Sequence, residues 1–444
     1  MIYGRRYRWT EMGLLIFPAL FLVLALFELE LTRNASTPLT QNTLPLLDTF
    51  TPAIGLIVAL AVTHILLNIF APDSDQTLLP LAGTLASIGV IMALRIGADP
   101  RFDSPSLGAK QLVWVIVGLA FCVVTVILTR DLRWVRNFKY TWAAVGLALI
   151  GITLVNALRH FDPNTPSRDV LAIGPGGLSF QPSELVKICL VVFFAGYLSE
   201  NQEMLSAGSI PIGGIKLPPL KQLGPLLFML GLSLIIAVGI RELGLALLIF
   251  GMVLSMTYAA TNRMTYVIGG LALFTVGAII AFSVFSYARV RLQIVSNAFD
   301  PDVAQNAGYQ IVQGLIAFAS GGVFGSGLGL GHPTIVPASN TDYIAAAFGE
   351  EFGFAGLLAL LGLFMLLVFR GLLVATRARD PFNQLMAVGL TSVFALQTLV
   401  ILAGNLKLMP LTGVPLPFVA YGGSSVIANF IIIGFLLRLS ENKT

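Results

Sequence analysis

The chain has 444 residues, of which 56% are hydrophobic and only 11% charged. That charge is less than half the roughly 25% of an ordinary soluble domain. With a mean hydropathy of +0.88, it excludes a water-soluble fold of this length.

Other classes fall on the same count. The net charge of +4 comes without a basic run, which argues against a nucleic-acid binder. Three scattered histidines, His64, His160 and His332, offer no zinc-ligand spacing. Cys122 and Cys189 lie inside apolar runs and read as buried core rather than a disulfide framework.

A helix needs about 20 apolar residues to cross about 30 Å of hydrocarbon. By that measure the chain predicts an all-α polytopic membrane protein. The expected spans are 11–31, 51–70, 79–96, 111–129, 141–158, 181–199, 224–240, 242–260, 265–286, 352–369, 383–403 and 419–437. The first run is too long for the apolar core of a cleaved signal and lacks a small-residue cleavage site, so it reads as a retained anchor. Residues 224–260 are nearly one apolar run, and one straight helix there would be about 55 Å long. Arg241 and Glu242 sit at its midpoint, where charge at the membrane centre is costly, so a tight turn is expected there.

Lys and Arg placement sets the expected orientation. With the N-terminus in the cytoplasm, inner segments hold Arg5, Arg6 and Arg8, then Arg130, Arg133, Arg136 and Lys139. Lys216, Lys221, Arg263, Arg370, Arg377, Arg379, Arg438 and Lys443 fall on the same side. The outer segments are longer and poorer in basic residues, so both termini are expected in the cytoplasm.

One connection stands out. Residues 287–351 form a long external loop among short ones, and long loops in compact proteins are usually functional. It contains SGGVFGSGLGLGH (320–332) and SNTDYIAAAFGEEFG (339–353). The glycine-rich piece lacks the GK[ST] ending of a phosphate loop, and close backbone packing explains it better.

Charge within the spans is sparse, which directs attention to the outer surface. In GLSFQPSELVK (177–187), Pro182 suits the first turn of a helix and Glu184 its positive end. Glu184 and Lys187, spaced i,i+3, form either a local ion pair or a polar pair that positions a ligand. Asp342 precedes an apolar run: either it charges a helix N-terminus or it is a base whose pKa is raised at the lip of an apolar cavity. Arg241, Arg289, Arg291 and Lys407 lie at outer span ends. They either snorkel to the interface or clamp phosphate-like groups.

Four blocks then resemble the SEDS family, the FtsW/RodA/SpoVE group of cell-wall polymerases. They are FQPSELVK (180–187), GYQIVQGLIAFASGGVFGSGLG (308–329), NTDYIAAAFGEEFGFAG (340–356) and GVPLPFVAYGGSS (413–425), in the family's order. The resemblance implies a ten-helix core over 79–444, which makes the two spans within 1–78 an N-terminal extension. It implies a peptidoglycan glycosyltransferase that polymerises lipid II at the outer face of the cytoplasmic membrane. Asp342, in the TD motif with Thr341, is its expected general base, and Gln181 and Glu184 carry over from the QPSE block. Lys187, Arg241, Arg289, Arg291 and Lys407 are the expected cations for the pyrophosphate leaving group. A divalent cation such as Mg or Mn is a possible addition, with no carboxylate cluster to fix it. A class B penicillin-binding protein, a transpeptidase, is the expected partner. A lipid II flippase and a non-enzymatic scaffold of the division or elongation machinery are the alternatives.

The match has departures. Ser167-Arg168-Asp169-Val170-Leu171 lacks the tryptophan common before QPSE, Asn340 stands where His is frequent, and Ala420 stands where serine usually precedes YGG.

Overall fold

The structure is a computed structural model that describes residues 7–35, 46–99, 101–102, 104, 106–159, 171–173, 178–207, 210–212, 215–217 and 220–441. Its helices, in chain order, begin with α1 (Trp9–Leu14), α2 (Ile16–Ala35), α3 (Leu46–Phe70), α4 (Leu78–Gly97) and α5 (Leu107–Leu128). The short α6 (Arg133–Asn137) leads into α7 (Lys139–Arg159). Then come α8 (Pro182–Ala207), α9 (Leu220–Gly239), α10 (Leu243–Thr261) and α11 (Met264–Val284). The long loop carries α12 (Ser286–Ser296), α13 (Pro301–Ala304) and α14 (Tyr309–Gly321). Three helices close the chain: α15 (Ile344–Arg377), α16 (Pro381–Asn405) and α17 (Gly423–Glu441). Two small antiparallel hairpins interrupt this pattern: β1 (Leu171–Ile173) pairs with β2 (Leu178–Phe180), and β3 (Ile210–Ile212) with β4 (Ile215–Leu217).

Among the described residues, eleven helices are long and apolar enough to cross a membrane. The other expected span, 224–240, appears as the shorter apolar stretch Gly224–Gly239 at the end of α9. The turn expected at Arg241 and Glu242 is present: α9 ends at Gly239, Arg241 takes φ +64, and α10 starts at Leu243. The positive φ reverses the chain within three residues.

Burial sorts the helices. α4 and α8 run through the middle, with Leu85, Val90, Ile91, Phe193 and Phe194 enclosed. α11 has no buried side chain and is apolar throughout, which suits a helix surrounded by lipid. α15 is interrupted at Gly353 (φ 66, ψ −170). Its 34 residues would span about 51 Å if straight. The break divides it into a short piece, 344–352, that belongs to the loop, and a crossing that follows.

The two ends of the bundle differ in charge. One end gathers the basic residues: Lys139 pairs with Glu200, Arg370 with Asp75, Arg438 with Glu441, and Arg136 with Asp380 at 3.6 Å. The loop bearing Asp342 lies at the opposite end.

Candidate active site

Motif blocks as far as 243 residues apart are joined directly by hydrogen bonds. α8 begins at Pro182, a proline suited to a first helical turn. Just before it, the Gln181 N–H donates to Ser424 Oγ at 3.0 Å, which ties the QPSE block to the GGSS block. Lys187 Nζ donates to Glu184 Oε2 at 2.9 Å and to Gln397 Oε1 at 3.2 Å. Gln397 Nε2 donates in turn to the Pro415 carbonyl at 3.0 Å. The Tyr421 N–H donates to the Asn340 carbonyl at 2.8 Å, so the YGG turn rests on the TD motif.

Asp342 lies two residues after Asn340. Ala338, at φ +55, folds the segment back: the Thr341 and Tyr343 N–H groups both donate to its carbonyl at 3.1 Å. Asn405, the last residue of α16, donates from Nδ2 to the Asp342 carbonyl at 2.8 Å. Tyr343 is fully buried beside Gly314 of α14, where an added Cβ would lie 2.5 Å from the ring. The main chain on both sides of Asp342 is thus held. Burial pushes its carboxyl above the usual carboxylate range, and the nearby Arg291 guanidinium offsets part of that rise.

The five expected cations separate in space. Arg291 is the one beside Asp342, and its Nη1 donates to the Leu411 carbonyl at 3.0 Å. Arg241 lies over the Tyr287 ring at 5.6 Å. The Tyr287 hydroxyl donates to the Val238 carbonyl at 2.9 Å, and Arg241, Arg291 and the buried Glu242 all act on that phenol electrostatically, which makes a polar cluster at the α9–α10 turn. Lys407 takes φ +61 two residues beyond Asn405, with Nζ 4.6 Å from the Phe299 ring centre. Arg289 is exposed, and its guanidinium donates to the Phe282 and Ser283 carbonyls at the end of α11, so the structure does not bring it to the cluster. Lys187 is only 2% exposed and enclosed with Glu184, so the pair joins α8 to α16 inside the bundle rather than facing a surface. A ligand at the surface would not meet either side chain directly.

The glycine-rich segment packs backbone on backbone, as its composition suggests. A Cβ at Gly325 (φ +85) would fall 2.1 Å from the Glu351 carbonyl oxygen. Beside it, Arg95 Nε donates to Glu351 Oε1 at 2.8 Å and Nη2 to the Gly331 carbonyl at 2.8 Å. Among the described residues, no group of three His, Cys, Asp or Glu side chains gathers to hold a metal.

Sequence reasoning missed Asn405, Gln397 and Tyr287. Gln397 and Asn405 had a signal, since polar side chains in or at the end of an apolar span are costly unless used. Tyr287 had none. The Ser167–Val170 departure lies outside the described residues.

A bundle of apolar helices whose motif blocks are joined by hydrogen bonds defines a multi-pass membrane protein with a polar region at one end of the bundle. Residues 73–444 match the cell cycle protein family of FtsW, RodA and SpoVE, and the chain belongs to that family. It is 38% identical over 333 residues to the peptidoglycan glycosyltransferase RodA of Mycobacterium tuberculosis, covering 75% of this chain and 70% of that one. It is 33% identical over 266 residues to a probable peptidoglycan glycosyltransferase FtsW of Geobacter metallireducens, covering 60% and 68%. Among solved structures, a chain of a peptidoglycan synthase complex that coordinates polymerisation and crosslinking matches with TM-score 0.64 at 22% identity, over 83% of this chain and 98% of that one. Thermus thermophilus RodA matches with TM-score 0.57 at 22% identity, over 83% and 97%. At that identity the likeness is one of fold.

Proposed function

We propose that this chain is a peptidoglycan glycosyltransferase in which Asp342 is the general base. The family and its glycosyltransferase relatives support the activity. One observation supports the residue: the segment bearing Asp342 is held by Asn405 at the Asp342 carbonyl and by the YGG block at the Asn340 carbonyl, while burial raises the pKa of its carboxyl.

The substrate class is lipid II, a polyprenyl-pyrophosphate-linked disaccharide–peptide. Its tail lies in the bilayer and its sugars in water, so the bond that breaks sits at the membrane surface. The acceptor hydroxyl oxygen attacks the donor anomeric carbon and passes its proton to the Asp342 carboxylate. The bond to pyrophosphate breaks, and its electron pair leaves with the pyrophosphate. A positioned base contributes about 10²–10⁴-fold. Glycosidases need a second carboxyl to protonate a poor leaving group. Pyrophosphate needs only charge compensation, and Arg291, Arg241 and Lys407 lie at the same end to supply it. Gln181 and Thr341 belong to the surrounding loop scaffold through Ser424 and Ala338.

The basic end of the bundle is the cytoplasmic one by the positive-inside rule, which puts Asp342 outside and both termini inside. A class B penicillin-binding protein is the partner that this chemistry calls for, since new glycan strands must be crosslinked. The direct test is a polymerisation assay on lipid II with the purified chain, alone and with its co-purified transpeptidase. Formation of glycan that Asp342→Asn abolishes is the expected result, and wild-type glycan synthesis by that variant would overturn the assignment.

A further inference from the structure

The family match begins at residue 73, so α1–α3 lie outside it. A plain membrane anchor needs only apolar length, and this segment has more than that at both membrane faces.

At the basic end, Arg8 and Glu11 are fully buried and paired. Arg8 Nη1 donates to the Ala71 and Ser74 carbonyls at 2.9 and 3.0 Å, and Nη2 to the Asp75 carbonyl at 3.0 Å. His64 Nδ1 lies 2.7 Å from Glu11 Oε1. Enclosed charge persists only where every group is matched, and here it is matched across α1, α3 and the 71–75 turn. Further along, Leu22, Ala25 and Leu26 are buried in the common core, and the Phe21 ring centre is 6.4 Å from that of Phe352.

At the Asp342 end, α2 meets the glycine-rich loop. A Cβ at Gly329 (φ +89) would lie 2.5 Å from Thr32 Oγ1 and 3.5 Å from Leu29 Cδ2, so loop backbone rests directly on the last turns of α2. The other side of that loop is held by the piece of α15 that starts two residues after Asp342. The Ser326 N–H donates to the Glu350 carbonyl at 3.0 Å and the His332 N–H to Glu350 Oε1 at 2.9 Å. Arg95 joins the Gly329 and Gly331 carbonyls to Glu351.

We infer that α1–α3 is a brace for the catalytic loop, with Leu29 and Thr32 as positioning residues that hold 326–332 against Arg95 and the 344–352 helix behind Asp342. The catalytic consequence rests on the polymerase reading above, whereas the mechanical one does not.

The test is hydrogen–deuterium exchange and lipid II polymerisation on the full chain in nanodiscs, comparing Leu29→Ala/Thr32→Ala with wild type. Amide exchange across 326–332 should rise about tenfold once one wall of that loop is trimmed away. The kcat should fall roughly three- to tenfold with KM nearly unchanged, as expected when a base is misplaced and the groups that bind substrate stay intact. Leu29→Met/Thr32→Val, which keeps the volume, should restore both. Phe17→Ala, on the lipid-facing side of α2 at 62% exposure, should change neither. Wild-type exchange and kcat in the folded alanine double variant would overturn the brace. A wild-type chain that makes no glycan would instead sink the polymerase reading, and the exchange data would still decide the brace.

Discussion

Asn405 holds Asp342 by the main chain: its Nδ2 donates to the Asp342 carbonyl at 2.8 Å and to the Ile401 carbonyl at 3.0 Å. The contact fixes the position of the residue while leaving its carboxylate unengaged by that side chain. Replacing Asn405 with Leu should therefore lower kcat by about tenfold through loss of position, with KM changed less. Steady-state kinetics on lipid II would separate the two, and a pure KM effect would count against a positioning role.

Asp342→Asn removes the proposed proton acceptor at nearly constant volume. Polymerisation should fall by at least about 10²-fold, while the melting temperature and the gel-filtration profile stay those of wild type. A variant that lost activity only by aggregating would leave the base unassigned to this residue.

The pH profile follows from burial. As the proposed base, Asp342 must be ionised to accept a proton, and its pKa stands above the ordinary carboxylate value. Activity is therefore present above that raised pKa and lost as pH falls through it, so the acid limb of kcat/KM should lie above pH ~4. Arg291 lowers that pKa, so Arg291→Ala should move the acid limb to higher pH as well as reduce the rate. Arg289→Ala should cost much less than Arg291→Ala, because its guanidinium caps α11 instead. A limb that does not move in Arg291→Ala would separate it from Asp342.

The Glu184–Lys187 pair makes a stability prediction. Both groups are enclosed, so removing one leaves the other as an unmatched buried charge. Lys187→Met alone should destabilise by about 3–5 kcal/mol, and Glu184→Gln/Lys187→Met by much less. Thermal melting in detergent reads both, and equal destabilisation in the two variants would show that the two charges are not coupled.

Gly325 tests the loop. A Cβ there would overlap the Glu351 carbonyl, at a φ of +85 that side chains rarely adopt. Gly325→Ala should destabilise by more than about 1–2 kcal/mol and raise proteolysis within 320–332. Wild-type protease resistance would show that the loop can shift at no cost.

Much was legible in the residues themselves because the bilayer imposes simple demands. Each crossing must be long, apolar and internally hydrogen-bonded, so the spans could be read from composition and the α9–α10 turn from Arg241 and Glu242. The motif blocks carried the family. What the linear order could not contain was which distant groups meet. Lys187 reads as a surface cation until Gln397, 210 residues away, encloses it. Arg289 and Arg291 differ by two positions, yet one caps a helix and the other reaches the Leu411 carbonyl across the chain, because a helical turn sends them in different directions. The first two spans read as additions with no stated work. The packing of Leu29 and Thr32 on Gly329, and of Phe21 on Phe352, connects them to the loop that bears Asp342, since a contact between segments so far apart in the chain is decided by how helices stack and not by what either segment encodes alone.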